Sequence, residues 1–316
     1  MDTAGPTAMG EPRSVVITGA SRGLGLASAI HLYEQGWRVV AAMRSVDAGL
    51  ERLRASTGAA ADDPRLVGVR LDLDDPASIA AAAKGIEEAV GAPDALVHNA
   101  GIAAVGSAEE MPFEVWEGLF RTNLFGPVRL TKELLPSMRA AGRGRIVVIS
   151  SQGGIRGMPS ISAYSASKGA LERWAEALAE EIAPFGLGVT ILVSGTFDTD
   201  ILTEQTVEYG DHNGPYAAHR AGIHRTGGLA VRLAARPERF AKALGRFIDE
   251  RAPFARHAVG FDARMLLFAS RLLPARLLHH IVRLAMHLPR HGALRDRRPS
   301  RVAVDSSPSE ESEQHG

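Results

Sequence analysis

Tyr164 and Lys168 lie four residues apart in the stretch Tyr164-Ser165-Ala166-Ser167-Lys168. On an α-helix that spacing sets the phenol and the ammonium side by side on one face. A free tyrosine titrates near ~10, and a neighbouring cation favours its phenolate, so such a pair is suited to giving and taking a proton near neutral pH. A second stretch, Thr18-Gly19-Ala20-Ser21-Arg22-Gly23-Leu24-Gly25, carries three glycines immediately after a run of buried-strand character. Glycine lets the backbone turn sharply and approach a pyrophosphate, and the helix that follows presents free N–H groups and a partial positive charge. Taken singly, the first feature also fits an exposed helix face and the second a tight strand-to-helix turn.

The elements that must position these groups show as an alternation of short β-branched runs with longer helical patterns. Strands are expected at 14–17, 37–42, 66–71, 95–97, 145–149 and 187–193, with a last one near 255–260. Helices are expected at 26–35, 77–90, 113–138 with a disturbance at Pro127, and 163–183. The alternation implies βαβ units, hence an α/β fold with a doubly wound parallel sheet and helices on both faces. Thr196 to Gly228 is rich in Gly, His, Thr and Tyr with little periodicity, and is read as a substrate lid at 196–228. Asp262 to Leu288 shows apolar residues at helical spacing with Pro274 dividing two helices, a C-terminal helical extension over 261–290 whose polar positions are mostly arginine. Residues 1–12 and 297–316 read as disordered ends around a domain at 13–260.

Composition narrows the function classes. The chain has 316 residues, 45% hydrophobic, with Lys+Arg and Asp+Glu equal at 36 each. A net charge of zero argues against nucleic acid as the main partner. There is no cysteine, so disulfides, thiolate metal sites and cysteine nucleophiles are excluded, and a reducing, cytoplasmic setting is expected. The polar N-terminus lacks the apolar core of a secretory signal, and no apolar run reaches the ~18 residues of a membrane span. His212, His219 and His224 have no metal-ligand spacing, so no metal site is expected and they read as lid surface.

The end of the second strand bears on which dinucleotide fits. An acidic residue there would bind the adenosine ribose hydroxyls and repel an added phosphate, and this chain has Met43-Arg44 instead. With Arg22 nearby in such a fold, two guanidiniums could clamp a 2′-phosphate. NADP(H) is therefore favoured, with NAD(H) possible.

Together these residues resemble the short-chain dehydrogenase/reductase family, in its shorter single-domain branch, over 13–260. Beside the glycine loop and Tyr164-x-x-x-Lys168, the resemblance is carried by Asp72 after the third strand, Asn99-Ala100-Gly101 after the fourth, Asn123, Ser150-Ser151 after the fifth, and Gly195-x-x-x-Thr199. His98 stands where the family usually has a first Asn, and Ser194 where it usually has Pro. The resemblance implies a Rossmann-type fold and a tetrad of Asn123, Ser151, Tyr164 and Lys168. Tyr164 would exchange a proton with the substrate oxygen while hydride moves between carbinol carbon and nicotinamide, and Ser151 would hold that oxygen. Lys168 would grip the nicotinamide ribose and lower the tyrosine's pKa, and Asn123 would anchor a proton-supplying water chain. Ser150 would point to the other face of its strand. The implied cofactor contacts are Gly19, Ser21, Arg22, Gly23, Leu24 and Gly25 of the loop, Arg44, Asp72 and Leu73. Asn99, Ala100 and Gly101, Tyr164 and Lys168, and Gly195 with Thr199 complete them.

Ile155, Met158, Phe197, Ile201 and Tyr216 fall in segments flanking such a site and favour a bulky apolar secondary alcohol or ketone, steroid-, retinoid-, fatty- or polyketide-like. The reading taken is an NADP(H)-dependent oxidoreductase acting on that pair. The alternatives are a catalytically idle NAD(P)-binding sensor or assembly subunit, and a non-redox biosynthetic step at the same site. The long helices at 113–138 and 163–183 form the subunit contact in relatives, so a homodimer or homotetramer is expected. The C-terminal helices are read as capping or packing, in preference to peripheral membrane contact.

Overall fold

Val15, Val16 and Ile17 are all fully buried, so the strand that holds them, β1 (Ser14–Thr18), needs cover on both faces. The computed structural model describes residues 12–199 and 206–295, so the readings made for both ends of the chain and for Ile201 lie outside the described residues. β1 joins β2 (Arg38–Met43), β3 (Leu66–Arg70) and β4 (Ala95–His98) in one sheet. After a short strand β5 (Ala104–Val105), β6 (Gly144–Ser151), β7 (Leu187–Ser194) and β9 (Phe254–Val259) extend that sheet. The order is β3-β2-β1-β4-β6-β7-β9, every pairing parallel. β5 pairs separately with β8 (Val207–Glu208).

Helices α1 (Gly23–Glu34), α2 (Val46–Thr57) and α9 (Pro237–Phe247) cover one face. There Val15, Ile17, Val39 and Ala41 pack with Leu32, Leu53, Phe240 and Leu244. The residues between them, Val16 and Val40, turn to the other face and meet Ile79 of α3 (Pro76–Val90) and Leu130 and Leu134 of α5 (Gly126–Ala141). In the second half, Ile146, Val148 and Ile191 pack on Leu171, Ala175 and Leu178 of α7 (Ser162–Ile182). The doubly wound parallel sheet read from the sequence is the fold of the chain. The strand order reverses between β1 and β4, and the carboxyl ends of those strands open the crevice where such sheets bind ligands.

The structure departs from the sequence reading at several places, among them α9, a helix the sequence reading did not list. α2 was not expected: its buried side is little more than Gly49 and Leu53 among charged residues, too thin a stripe to register as periodic. The helix expected over 113–138 is interrupted by a π-helical turn, Arg121–Phe125, between α4 (Phe113–Phe120) and α5. Pro127 has no N–H to give the carbonyl of Asn123 four residues back, so the break falls one turn before the proline. The unperiodic lid of 196–228 contains β8 and most of α8 (Ala217–Arg232), the strand being recruited by β5 across the chain. Finally, Phe197 is not a pocket residue: it is 3% exposed and edge-on to Phe240 at 5.5 Å in the main core.

Candidate active site

The loop after β1 and the loop after β4 are stitched to each other. Thr18 Oγ1 accepts from the backbone N–H of Asn99 and of Ala100, both at 3.0 Å, and Asn99 Nδ2 donates to the Thr18 carbonyl at 2.9 Å. Glycine is required at 19, where φ is +69° and an added Cβ would sit 2.9 Å from the Ala100 Cα. α1 begins at Gly23 with free N–H groups, and the result is a cleft of about 630 Å³ over the carboxyl ends of β1, β2 and β4. Ser21, Arg22, Gly23 and Leu24 line its glycine-loop side, with Gly19 at the base. Arg44 and the pair Asp72 and Leu73 line the β2–β3 end. Asn99, Ala100 and Gly101 line the opposite wall with Tyr164, Lys168 and Thr199.

Two residues expected on this cleft are elsewhere. Gly25 is buried against the loop, where an added Cβ would be 2.3 Å from the Gly19 carbonyl oxygen, so its smallness serves the close packing of helix on loop. Gly195 faces Asp262, whose Oδ1 lies 2.0 Å from where a Cβ would be. Asp262 instead accepts from Thr196 N–H at 2.7 Å and Gln152 Nε2 at 2.8 Å, holding the segment after β7 to the short helix α6 (Gln152–Ile155). Several contributors to the cleft escaped the sequence reading, Ser45, Ala48, Gly49 and Arg52 at the α2 end among them. Arg52, on the unanticipated α2, joins Arg22 and Arg44 on the rim and donates to the Ser21 carbonyl at 3.3 Å. Arg22 and Arg44 are exposed, and neither has an ion-pair partner among the described residues.

The four tetrad positions converge. Asn123, fully buried in the π-turn, accepts from Ile102 N–H and donates to the Ile102 carbonyl, both at 2.9 Å, and donates to Ser167 Oγ of α7 at 3.0 Å. The Cβ position of Gly101 lies 3.1 Å from Asn123 Oδ1 and 3.4 Å from Lys168 Nζ, so a side chain there would force these groups apart. Tyr164 and Lys168 share one face of α7, and Ser151 at the end of β6 is near enough to the Tyr164 phenol to lower its pKa, while the Ser151 Oγ accepts from the Gly153 N–H at 3.4 Å. Ser150 points the other way, its hydroxyl donating at 2.5 Å to the buried Glu172, which also meets Arg256 of β9 at 2.8 Å. Tyr164 packs against the buried cluster of Ala104, Met111, Leu119 and Ala163, which Trp116 and Tyr209 also border. A phenol and a hydroxyl this near each other beside an apolar patch can hold and protonate an oxygen set between them.

The electrostatics differ from the simple picture of a cation acidifying a phenol. Burial pushes the Tyr164 phenol above its ordinary value, and the Ser151 hydroxyl draws it back only in part. Lys168 is desolvated along with it. This lowers the ammonium from 10.5 to about 8 despite the attraction of Glu172, and it is turned to the Ile149 carbonyl at 2.9 Å. Glu172 is raised by burial, opposed by Ser150 and Arg256. His98, completely enclosed, is held down to about 3 by burial and by Lys168, and its partner is the Thr131 hydroxyl at 2.7 Å rather than backbone.

Away from these residues, Arg220 of α8 ties the segment around β8 to the loop after β5. It reaches both carboxylate oxygens of Glu110 at 3.2 and 3.3 Å, Glu208, and the carbonyls of Tyr209 and Asp211. His224 also meets Glu208 at 3.0 Å, and Tyr216 donates to Glu109. Among the described residues no group of acidic and histidine side chains could hold a metal ion.

The family model for short chain dehydrogenase matches residues 13–210. The uncharacterized oxidoreductase YbbO of Escherichia coli is 34% identical over 277 residues, covering 85% of this chain and 94% of the relative. The 3-ketodihydrosphingosine reductase of Bacteroides thetaiotaomicron is 30% identical over 276 residues, covering 87% and 98%. Among solved structures, a short-chain dehydrogenase from Streptomyces avermitilis superposes with a TM-score of 0.75 at 33% identity, covering 88% of this chain and 98% of that one. A metagenomic short-chain oxidoreductase in complex with NADP superposes with a TM-score of 0.61 at 28% identity, covering 78% and 96%.

Proposed function

The chain belongs to the short-chain dehydrogenase/reductase family and is a dehydrogenase/reductase of CH–OH and C=O groups, and from that premise we propose that it uses NADP(H) to interconvert a hydrophobic secondary alcohol and its ketone. The observation that carries this reading is that Tyr164 and Lys168 stand at the end of a cleft floored by glycines, with Ser151 beside the phenol and Asn123 behind Gly101. The cleft fits a dinucleotide on its own geometry: at Gly19 only the absence of a side chain leaves the loop able to lie against Ala100, and Gly23 opens α1 toward the same space. A nicotinamide dinucleotide bound there supplies the hydride equivalent for the substrate carbon. Arg22, Arg44 and Arg52 supply three cations at the adenosine end with no carboxylate at the close of β2, which favours a 2′-phosphate. The NADP-bound relative supports the same choice.

Tyr164 delivers the proton to the substrate oxygen and Ser151 orients it. Because burial holds the phenol protonated, Tyr164 starts as the acid, the state that ketone reduction needs. Lys168, close to Gly101 and Asn123, binds at the ribose end of the cleft and keeps positive potential where oxygen charge develops. Asn123 acts by holding the Ile102 segment and α7 together, leaving its own carbonyl free of Pro127. The buried apolar cluster that Tyr164 packs against, with Trp116 and Tyr209 beside it, favours an apolar substrate, and the similarity to a 3-ketodihydrosphingosine reductase supports a lipophilic ketone. Phe113 at the start of α4 and Phe125 in the π-turn, 71% and 51% exposed, support a homo-oligomer.

The test is oxidation of NADPH with a panel of lipophilic ketones. Turnover of at least one long-chain or polycyclic ketone is expected. NADPH binding without turnover of any of them would return the chain to the idle, cofactor-sensing reading.

A further inference from the structure

Seven large apolar side chains stand out of the surface on two consecutive helices. On α10 (Phe261–Leu272) they are Phe261, Met265, Phe268 and Leu272, exposed by 80, 50, 62 and 63%. Their spacing of four, three and four residues is that of one face of a helix. On α11 (Ala275–Ala285), Leu277, Ile281 and Leu284 repeat it, exposed by 47, 43 and 64%. These are ordered faces with the apolar side turned outward, since each helix seats a different residue inward, Ala263 on α10 and Leu278 on α11. α8 touches α11 through Thr226 and the Ala285 carbonyl and adds Leu229, with Leu233 just past its end, exposed by 58 and 75%. A monomeric protein does not ordinarily leave so much apolar surface in water.

The charge beside these stripes identifies what covers them. Residues 263–295 hold six arginines and four histidines and no acidic residue. In several cases the basic residue directly precedes an apolar one: Arg264 and Met265, Arg271 and Leu272, Arg276 and Leu277, His280 and Ile281, Arg283 and Leu284. One residue is about 100° of helical turn, so a basic stripe runs along the edge of each apolar stripe. A second copy meeting this surface about a two-fold axis would bring the same arginines against each other. A bilayer with acidic headgroups satisfies both stripes at once, taking the apolar side chains into the boundary of the acyl chains and the guanidiniums among the phosphates. No described helix is long and apolar enough to cross a membrane, so contact is along the surface.

We infer that α10 and α11 form a docking surface for an anionic lipid bilayer, in place of the capping role expected from the sequence. Asp262, at the start of α10, binds Gln152 and Thr196, and Arg156 meets His279 of α11 at 3.2 Å. Docking therefore sets the Ser151 side of the cleft next to the lipid.

The experiment is flotation of the full chain with phosphatidylcholine vesicles prepared with and without phosphatidylglycerol, alongside two double variants, Phe268→Asp with Leu272→Asp and Arg271→Glu with Arg276→Glu. Each basic side chain near an anionic surface is worth about fivefold in partitioning, so binding on the order of 10-fold or more tighter to the anionic vesicles is expected. Both variants are expected to lose it while melting at the wild-type temperature, because all four side chains are exposed. The reading is on the protein itself and needs no turnover, so it stands or falls apart from the proposed reaction. Equal binding to neutral vesicles, or binding to neither, overturns the inference. So does sedimentation in which the aspartate variant turns a wild-type oligomer into a monomer, which assigns the face to a second copy.

Discussion

Replacing Lys168 with methionine separates the stability of the site from its chemistry. Lys168 is 5% exposed and titrates at about 8 in the folded chain against an ordinary 10.5, so the fold holds its proton about 3 kcal/mol less well than water does. Between those two values the unfolded chain keeps the proton and the folded chain has released it. The stability cost of the buried charge is therefore fully present below about pH 8 and is relieved as the pH rises through the window to about 10.5. From about pH 7 to about pH 9 the relief amounts to about 1.3 kcal/mol. Methionine has similar length and no charge, so Lys168→Met lacks this component, and the other titrating groups cancel when the two proteins are compared. The assay is urea unfolding of wild type and variant at both pH values, with wild type gaining about 1.3 kcal/mol more than the variant on going to the higher pH. Parallel pH dependence in the two proteins would refute the claim that this ammonium is held against its desolvation.

Other perturbations follow from the same contacts. Arg44→Asp is expected to lower preference for NADPH over NADH by roughly 10- to 100-fold, as the loss of one charge-assisted contact to phosphate implies, measured as the ratio of kcat/KM for the two cofactors. Ser150→Ala removes the donor at 2.5 Å from buried Glu172 and is expected to cost about 1–3 kcal/mol in unfolding free energy with little change in kcat, whereas Ser151→Ala is expected to lower kcat by roughly 100-fold with little change in stability. Arg220→Ala breaks the ties from α8 to Glu110 and to the backbone near β8, and is expected to raise amide exchange across 207–232 by about 3 kcal/mol of local stability while the central strands exchange as before.

The frame of the site is legible in the sequence wherever spacing is local. The four-residue step from Tyr164 to Lys168, the glycines after β1 and the alternating runs of Val15 to Ile17 each fix a direction or a turn by themselves. What escaped depends on partners far along the chain. Phe197 belongs to the core because Phe240 meets it, and Glu172 is buried because Arg256 arrives from the last strand. α2, and Arg52 with it, went unseen because its apolar face is narrow. The segment read as a lid acquires its strand only by pairing with β5. The direction of the Tyr164 pKa was misjudged for a related reason: adjacency of a cation can be counted from spacing, whereas desolvation of both partners requires the fold around them.

The central claim, that Tyr164 supplies the proton to the substrate oxygen, is tested most directly by Tyr164→Phe assayed with NADPH and a lipophilic ketone that the wild type reduces. Loss of a general acid predicts a fall in kcat on the order of 100- to 10,000-fold, with NADPH still bound as tightly as by wild type. A variant that reduces the ketone at the wild-type rate would contradict it.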